Sequence, residues 1–124
     1  LDRMLMPDGR VLHAELAVGD SKLMLSDSFP EQGSKTALEL GGSPLGFMYY
    51  TPEVDAAFAR FTGAGARQIA PVMDMFWGDR YGIVADPSGF QWGVATHTED
   101  VDPAEMPARM KKQLEREQAA QPST

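Results

Sequence analysis

One stripe of apolar side chains at helical spacing limits how this chain can fold. The stripe follows the i, i+3, i+4, i+7 pattern of one face of an α-helix. It consists of Val54, Ala57, Phe58 and Phe61. Thr51 and Pro52 precede it as an N-cap with proline at the first helical position, and the glycines of 63–65 follow it as a terminator. The sequence therefore predicts one packed helix in this part of the chain.

Turn signals divide the rest of the first hundred residues into short β-prone segments. Pro, Gly and Asp clusters at 7–9, 19–20 and 87–89 are typical of turns between antiparallel strands. The predicted strands are 1–6, 10–18, 22–26, 45–50, 68–73, 80–85 and 90–96. Residues 28–44 are rich in Pro, Gly, Ser and charges and predict a connector, with Thr36 to Leu40 as a candidate short strand.

This order of elements predicts an α+β fold. Residues 45–97 give strand, helix and three further strands, whereas residues 1–27 give only three strands. The first part therefore matches the second without its opening strand and helix. A length of 124 residues is enough for one core but not for two. We expect a single domain over 1–100.

The last 24 residues predict a less firmly packed segment, 101–124. Residues 102–105 read Asp-Pro-Ala-Glu, which is typical of a capping box with proline at the first helical position. Apolar residues then recur every four positions, at Met106, Met110 and Leu114. Pro107 opposes the first turn. We expect a tail that is helical or partly disordered, with disorder from Gln118 to Thr124.

Composition excludes several classes of function. A net charge of -7 and a pI near 4.7 oppose binding to a phosphate backbone. The absence of cysteine excludes disulfides, thiolate catalysis and cysteine-ligated metal clusters. No apolar run approaches the roughly 18–20 residues of a membrane span. We expect a cytoplasmic protein with neither nucleic acid nor membrane as a partner.

Binding-capable side chains concentrate between residues 76 and 100. Three runs follow one another: Phe-Trp-Gly-Asp-Arg-Tyr-Gly at 76–82, Ala-Asp-Pro-Ser-Gly-Phe-Gln-Trp at 85–92, and Ala-Thr-His-Thr-Glu-Asp at 95–100. The Trp-Gly-Asp-Arg element, the Asp-Pro-x-Gly turn and the Thr-His-x-Glu-Asp ending resemble the PhnB-like branch of the glyoxalase/bleomycin-resistance/dioxygenase (vicinal oxygen chelate) superfamily. The resemblance extends over residues 4–109.

The resemblance implies paired βαβββ modules that form a curved mixed sheet around a cavity. In this chain the first module would lack its opening strand and helix. In metal-dependent relatives, four ligands come from four strands. The resemblance places one of these positions at Gly93 and another at or near Gly46, and glycine cannot ligate. A third would precede the sequence, and only one could survive, near Leu25 to Asp27.

Because three protein ligands are the usual minimum for a catalytic zinc-type site, we expect no metal and no cofactor. The two glycines would instead widen the floor of the cavity.

His13 and Glu15 are two apart on a predicted strand and therefore point to the same face. Both side chains can ligate a divalent metal or act as a base, and the family resemblance includes a His-Ala-Glu-Leu element here. The alternative is a polar strand face that is solvated or hydrogen-bonded to its neighbours.

Trp77, Arg80 and Tyr81 lie where a loop enters a strand, and Asp79 could hold Arg80 in a bidentate pair. Aromatic rings beside an arginine favour a planar or anionic small molecule. The alternative is that Trp77 closes the end of the sheet and that Asp79 and Arg80 form a structural ion pair.

Strand alternation assigns faces to several other side chains. Trp92 is predicted to lie in the core under the helix, which puts Gln91 on the opposite face. Tyr49 and Tyr50 point to opposite faces, and the resemblance favours Tyr50, with Met48, as the cavity side. The predicted ligand-binding residues are His13, Glu15, Met48, Tyr50, Trp77, Arg80, Tyr81 and Gln91.

His97 follows the last strand, with Glu99 and Asp100 nearby. A histidine beside two carboxylates is compatible with a proton relay. A surface histidine that caps the tail is the alternative.

Two classes of function remain open. One is a metal-free protein that binds antibiotics or other planar compounds. The alternative is a lyase, isomerase or dioxygenase whose metal uses His13, Glu15 and Asp27.

The incomplete first module also predicts self-association. Its strands carry apolar side chains at Leu5, Leu12, Leu16, Val18, Leu23 and Leu25. No helix of the same module would cover one sheet face. We therefore expect a two-fold homodimer in which the subunits share cavity walls.

Overall fold

The computed structural model describes residues 3–121. Contacts divide the chain into two compact units, Leu1–Gly41 and Gly42–Thr124, called the N-terminal and C-terminal units below. The boundary lies inside the predicted connector, 28–44. The single domain expected over 1–100 stays a prediction.

The N-terminal unit contains a three-stranded antiparallel sheet of order β1-β2-β3. Its strands are β1 (Arg3–Leu5), β2 (Val11–Val18) and β3 (Ser21–Leu25). The predicted turn at 7–9 is confirmed, because Met6 N–H donates to Arg10 O at 2.7 Å and Gly9 adopts a φ of 92°. Residues 1 and 2 of the predicted first strand lie outside the described residues.

The short strand predicted over Thr36 to Leu40 is wrong. This segment forms turns in which Leu40 N–H donates to Thr36 O at 3.2 Å and Gly41 N–H donates to Leu38 O at 3.1 Å. Local hydrogen bonds of this kind satisfy the backbone groups that a strand would offer to a neighbour. A 3-10 helix, Pro30–Gln32, lies earlier in the connector.

The C-terminal unit has the predicted order of strand, helix and three strands. The elements are β4 (Gly46–Tyr50), α1 (Val54–Gly63), β5 (Arg67–Asp74), β6 (Asp79–Ala85) and β7 (Gln91–His97). They form a four-stranded sheet of order β4-β7-β6-β5. β4 is parallel to β7, and the other pairs are antiparallel. The predicted α+β class is confirmed.

Helix α1 covers one face of this sheet through the predicted stripe. Its Val54, Ala57 and Phe58 are buried against Val84 and Val94. Further aromatic side chains pack around this cluster, at Tyr49, Phe61 and Trp92. The prediction that Trp92 lies on the helix side is therefore confirmed.

The cap of α1 comes from a distant strand. Thr51 was predicted as the N-cap, but α1 begins at Val54, and Glu53 in the cap position makes no side-chain cap. Instead, Thr96 Oγ1 of β7 accepts the Val54 N–H at 2.9 Å and donates to Thr51 O at 2.7 Å. One hydroxyl thus satisfies an N–H that α1 leaves free and the carbonyl of Thr51, which precedes the helix.

The C-terminal segment is more ordered than predicted. Asp102 caps a 3-10 helix, Pro103–Glu105, and α2 (Met106–Ala120) follows it. Helix α2 includes Gln118, where disorder was predicted to begin, while 122–124 lie outside the described residues. Pro107 is tolerated because the first helical turn needs no N–H donor at that position.

The predicted apolar stripe does not hold α2 in place. Met110 and Leu114 are 43% and 48% exposed. Gln113 is buried instead, and its Oε1 accepts the Phe76 N–H at 2.8 Å. A polar contact therefore joins α2 to the turn between β5 and β6. Among the described residues, neither helix combines the length and apolarity of a membrane span.

Replacing Thr96 with Val tests the cap of α1. The change leaves the Val54 N–H without a partner in a buried position, so we expect a loss of about 1–3 kcal/mol in the free energy of unfolding. Urea unfolding followed by circular dichroism measures it. Thr62→Val is the control, since the exposed Thr62 hydroxyl only back-bonds to carbonyls of α1, and it should stay within about 0.5 kcal/mol. Equal losses in both variants would contradict the assignment of the cap.

Candidate functional site

The sheet of the C-terminal unit has one face free of α1, and this open face is the candidate site. Register and alternation assign its residues. They are Gly46, Met48 and Tyr50 of β4, Gln91, Gly93, Ala95 and His97 of β7, Asp79, Tyr81, Ile83 and Ala85 of β6, and Arg67, Ala70 and Met73 of β5. Of the predicted ligand-binding residues, Met48, Tyr50, Tyr81 and Gln91 lie on this face.

A buried carboxylate organises one end of the open face. Asp79 is 2% exposed. Its Oδ2 accepts hydrogen bonds from the Tyr50 hydroxyl at 2.7 Å and from Trp77 Nε1 at 2.8 Å. Its Oδ1 lies 2.8 Å from His97 Nδ1. The motifs of the sequence contain Trp77, Asp79 and His97, but local patterns did not predict their contact, because the members of the cluster come from β4, β6, β7 and the β5–β6 turn.

His97 bridges two carboxylates. Its Nδ1 faces Asp79, and its Nε2 lies 2.7 Å from Asp100 Oδ1. A neutral imidazole has only one N–H, so both contacts are hydrogen bonds only when the ring is protonated. The hydrogen bond with Asp100, followed by that with Asp79, raises the pKa of His97 above its ordinary value. Of the two carboxylates predicted beside His97, Glu99 pairs with Arg109 instead.

Hydrogen bonding keeps Asp79 ionised despite its burial. Burial acts to raise the pKa of Asp79, but the hydrogen bonds from Tyr50, His97 and Trp77 outweigh it, and the pKa is lowered. The hydrogen bond between Tyr50 and Asp79 also raises the pKa of Tyr50, because the carboxylate holds the phenol proton. The Tyr50 proton therefore stays on the phenol and points to Asp79.

Arg80 lies on the face that α1 covers. Its Nε and Nη2 donate to Asp55 Oδ2 and Oδ1 at 2.9 and 3.0 Å, and its Nη1 lies 3.5 Å from Asp74 Oδ1. The predicted bidentate pair of Asp79 and Arg80 is wrong, because consecutive residues of β6 point to opposite faces. The structure therefore does not bring Arg80 together with Tyr50 and Tyr81.

The turn before β6 places Trp77 at the edge of the open face. Gly78 has a φ of 98°, and a Cβ built there would lie 2.2 Å from Glu99 O. Only glycine permits this approach, in which Gly78 O accepts the Thr98 N–H at 2.8 Å. The Trp77 ring meets Tyr81 edge to face, with centroids 5.3 Å apart. Trp77 and Tyr81 therefore form one aromatic patch.

The two glycines expected to widen the cavity floor behave differently. A Cβ at Gly93 would lie 2.6 Å from Met48 Sδ and 2.7 Å from Tyr81 Cε2, so these side chains already fill the space above it. At Gly46 the nearest atom is Gln91 O at 3.7 Å, so room remains there. The prediction is therefore wrong for Gly93 and stays a prediction for Gly46.

The family's metal centre does not fit these residues. Gly46 and Gly93 supply no ligand atom, and a side chain at 93 would displace Met48 and Tyr81. Over residues 3–121, no group of three or more His, Asp or Glu side chains has the arrangement of a metal site.

His13 and Glu15 belong to the N-terminal unit. They share a face of β2, as predicted, and His13 Nε2 lies 3.4 Å from Glu15 Oε1. Met4 and Met24 are their register partners on β1 and β3. The third residue of the alternative metal site, Asp27, accepts the Val11 N–H at 2.6 Å through Oδ2. One of its carboxylate oxygens therefore already fixes the end of β3.

Sequence patterns did not anticipate a cavity of about 650 Å³ in the C-terminal unit. It lies between α2 and the end of β5, and its charged side chains include Glu99, Arg109, Lys112 and Arg116. None of the predicted ligand-binding residues lines it. Because its lining mixes both signs of charge without a buried polar anchor, the open face remains the better candidate.

The pH dependence of stability tests the bridge at His97. A raised pKa means that the contribution of His97 is fully present below its ordinary pKa of 6.5 and is lost as pH rises through the raised value. The lowered pKa of Asp79 means that its contribution is present above 3.8 and is lost as pH falls through the lowered value. The difference in free energy of unfolding between wild type and His97→Gln should therefore be largest between the ordinary pKa values of the two groups, 3.8 and 6.5.

Urea unfolding across this pH range gives the measurement. Asp100→Asn removes one of the two carboxylates that raise the pKa of His97. The stability contributed by His97 should therefore be lost at a lower pH than in wild type. A difference between wild type and His97→Gln that is constant with pH would contradict the bridge.

Comparisons with known proteins agree with this fold. Residues 2–94 match the family model of the Glyoxalase/Bleomycin resistance protein/Dioxygenase superfamily. The uncharacterized protein Mb0911c of Mycobacterium bovis is 38% identical over 116 residues, which cover 91% of this chain and 76% of that protein. The uncharacterized protein Rv0887c of Mycobacterium tuberculosis is also 38% identical over 116 residues, which cover 68% of that protein.

Two crystal structures are similar. TioX from Micromonospora sp. ML1 has a TM-score of 0.57 and 29% identity, covering 78% of this chain and 76% of TioX. Protein PA1353 from Pseudomonas aeruginosa has a TM-score of 0.58 and 22% identity, covering 73% of this chain and 66% of that chain, and it supports the fold alone. The chain belongs to the glyoxalase/bleomycin resistance protein/dioxygenase superfamily.

Proposed function

We propose that this chain is a metal-independent small-molecule-binding protein of the PhnB-like branch, with its ligand on the open face. The observation that carries the proposal is the aromatic patch of Trp77, Tyr81 and Tyr50, which is anchored by the buried carboxylate of Asp79. The motifs that carry the branch resemblance supply Trp77 and Asp79, together with His97 and Asp100 of the same network.

Preorganisation favours binding at this patch. The hydrogen bonds of Tyr50 and Trp77 to Asp79 fix both rings before a ligand arrives. Ordering side chains on binding costs about 0.5–1.5 kcal/mol for each flexible side chain, so a patch that is already ordered retains that free energy as affinity. Met48 is 46% exposed beside the patch, and its flexible thioether adapts to ligands of different outline.

The residues at the family's ligand positions support metal independence. Gly46 and Gly93 supply no donor atom, and Met48 and Tyr81 close over Gly93. A metal-dependent lyase, isomerase or dioxygenase would have to use His13, Glu15 and Asp27, and Asp27 already accepts a backbone N–H.

Native mass spectrometry of the purified chain, combined with elemental analysis, tests the proposal. We expect a retained organic compound and transition metal at background level, both in wild type and in His13→Ala. One equivalent of nickel, zinc, manganese or iron per chain that is lost in His13→Ala would contradict metal independence and favour the alternative.

A pair of variants on opposite sheet faces locates the site. Tyr81→Ala removes a ring of the patch and should weaken binding of the retained compound by about tenfold, since an aromatic contact contributes roughly 0.5–1.5 kcal/mol beyond its buried area. Arg80→Ala is the control, because Arg80 pairs with Asp55 on the covered face, and its affinity should stay within about twofold. Calorimetric titration measures both. A large effect in Arg80→Ala with none in Tyr81→Ala would place the ligand elsewhere.

We further propose that the chain forms a two-fold homodimer, as predicted. Leu12, Leu16 and Leu25 of the N-terminal unit are 37–45% exposed on neighbouring strands. Burying several hundred Å² of such surface would contribute several kcal/mol at about 25 cal/mol per Å².

The predicted cytoplasmic location also stays a prediction.

Sedimentation at micromolar concentration should give twice the chain mass of 13.5 kDa. Leu16→Glu should shift the equilibrium toward monomer, because a carboxylate is costly to bury. A wild-type chain that remains monomeric would contradict the dimer.

A further inference from the structure

Tyr50, Trp77 and His97 around the aromatic patch direct their polar hydrogens to carboxylates of the protein. The Tyr50 hydroxyl and Trp77 Nε1 both donate to Asp79 Oδ2. The two ring nitrogens of His97 face Asp79 and Asp100. A ligand beside Tyr50, Trp77 and His97 therefore meets donors that are satisfied within the protein; Tyr81 is not among these residues.

Acceptors and electron-rich surfaces remain available to a ligand. Tyr50 is 55% exposed, and its oxygen keeps lone pairs after its proton is given to Asp79. The rings of Tyr50 and Tyr81 and the sulfur of Met48 lie on the same face. Aromatic faces carry negative electrostatic potential, which attracts cations placed over them.

The charges around Asp79, at this end of the open face, also favour a cationic ligand. Asp79 and Asp100 contribute two negative charges and protonated His97 one positive charge, which leaves one negative charge. Arg80 is held on the covered face by Asp55 and Asp74. Among the described strand residues of the open face, the cationic side chain besides His97 is Arg67. It pairs with Ala85, at the end of β6 opposite to Asp79.

We infer that the ligand of this patch is a planar cation with N–H groups, such as a protonated aromatic amine or an amidinium. Its plane stacks on one of the Trp77 and Tyr81 rings, which meet at 67°, and one N–H donates to the Tyr50 oxygen. This inference rests on the proposed function; it keeps the planar ligand expected from sequence and replaces the anionic one, for which Arg80 was the anchor. Gln91, whose amide both donates and accepts, lies four register positions from the pair of Tyr50 and Ala95 and can contact a longer ligand.

Calorimetric titration of the full chain with two planar probes tests the charge class. Proflavine is a planar aromatic cation with N–H groups, and anthracenecarboxylate is an anion of similar size. We expect proflavine to bind at least about tenfold more tightly, because aromatic faces attract a cation and the net negative charge at this end of the face repels an anion. Equal or tighter binding of the anion, or no binding of either probe, would overturn the inference.

Two adjacent tyrosines provide a matched pair of hydroxyl deletions. Tyr50→Phe keeps the ring but removes the acceptor, together with the hydrogen bond to Asp79 that fixes the ring, so proflavine affinity should fall by about fivefold to tenfold. Tyr49→Phe removes a hydroxyl on the face covered by α1, and affinity should stay within about twofold. Far-ultraviolet circular dichroism confirms that both variants are folded.

Titration at high salt separates the patch from general attraction to an acidic protein. Attraction between exposed charges is screened at high ionic strength, whereas contact with the patch should persist and keep its dependence on Tyr50. Binding that is lost in salt and is indifferent to Tyr50→Phe would overturn the inference. It would leave the proposed function standing, because the retained compound is identified independently by native mass spectrometry.

Discussion

A single ionised carboxylate in a buried position governs the arrangement of the candidate site. A buried charge is costly unless it is paired and hydrogen-bonded, and Asp79 meets this condition through three partners from three segments. The hydrogen bonds that stabilise the charge of Asp79 also hold the side chains that donate them, so they orient Tyr50 and Trp77. The open face is in this sense built around one charge, and its aromatic rings are arranged by electrostatics as much as by packing.

Sequence patterns predicted what depends on local spacing. The apolar stripe of α1, the succession of elements along the C-terminal unit, and the opposite faces of Trp92 and Gln91 follow from periods of 3.6 and 2 residues, whereas the choice of Tyr50 over Tyr49 for the open face came from the family resemblance. The same period of two residues places Asp79 and Arg80, which are adjacent in sequence, on opposite faces of β6, so the predicted ion pair was inconsistent with the strand. Contacts between distant segments were missed because periodicity describes only neighbouring residues. The Thr96 cap of α1 spans 42 positions in sequence, and no local pattern indicates it.

The superfamily fold and the chemistry of this chain are separable. A fold can keep its sheet and its helix packing while the side chains of the site change. In this chain Met48 and Tyr81 lie directly over the backbone of Gly93, at 2.6 and 2.7 Å from the position of a Cβ there. The space above Gly93 is thus occupied by a thioether and an aromatic ring.

Helix α2 begins at Met106, beyond the residues that the family model matches, which end at 94. Its buried Gln113 nevertheless holds the backbone of Phe76, next to Trp77. The boundary of the shared fold and the boundary of the working site are therefore different. A segment outside the family-model match thus fixes the backbone next to Trp77, so a change in α2 can alter the position of this ring while the sheet stays the same.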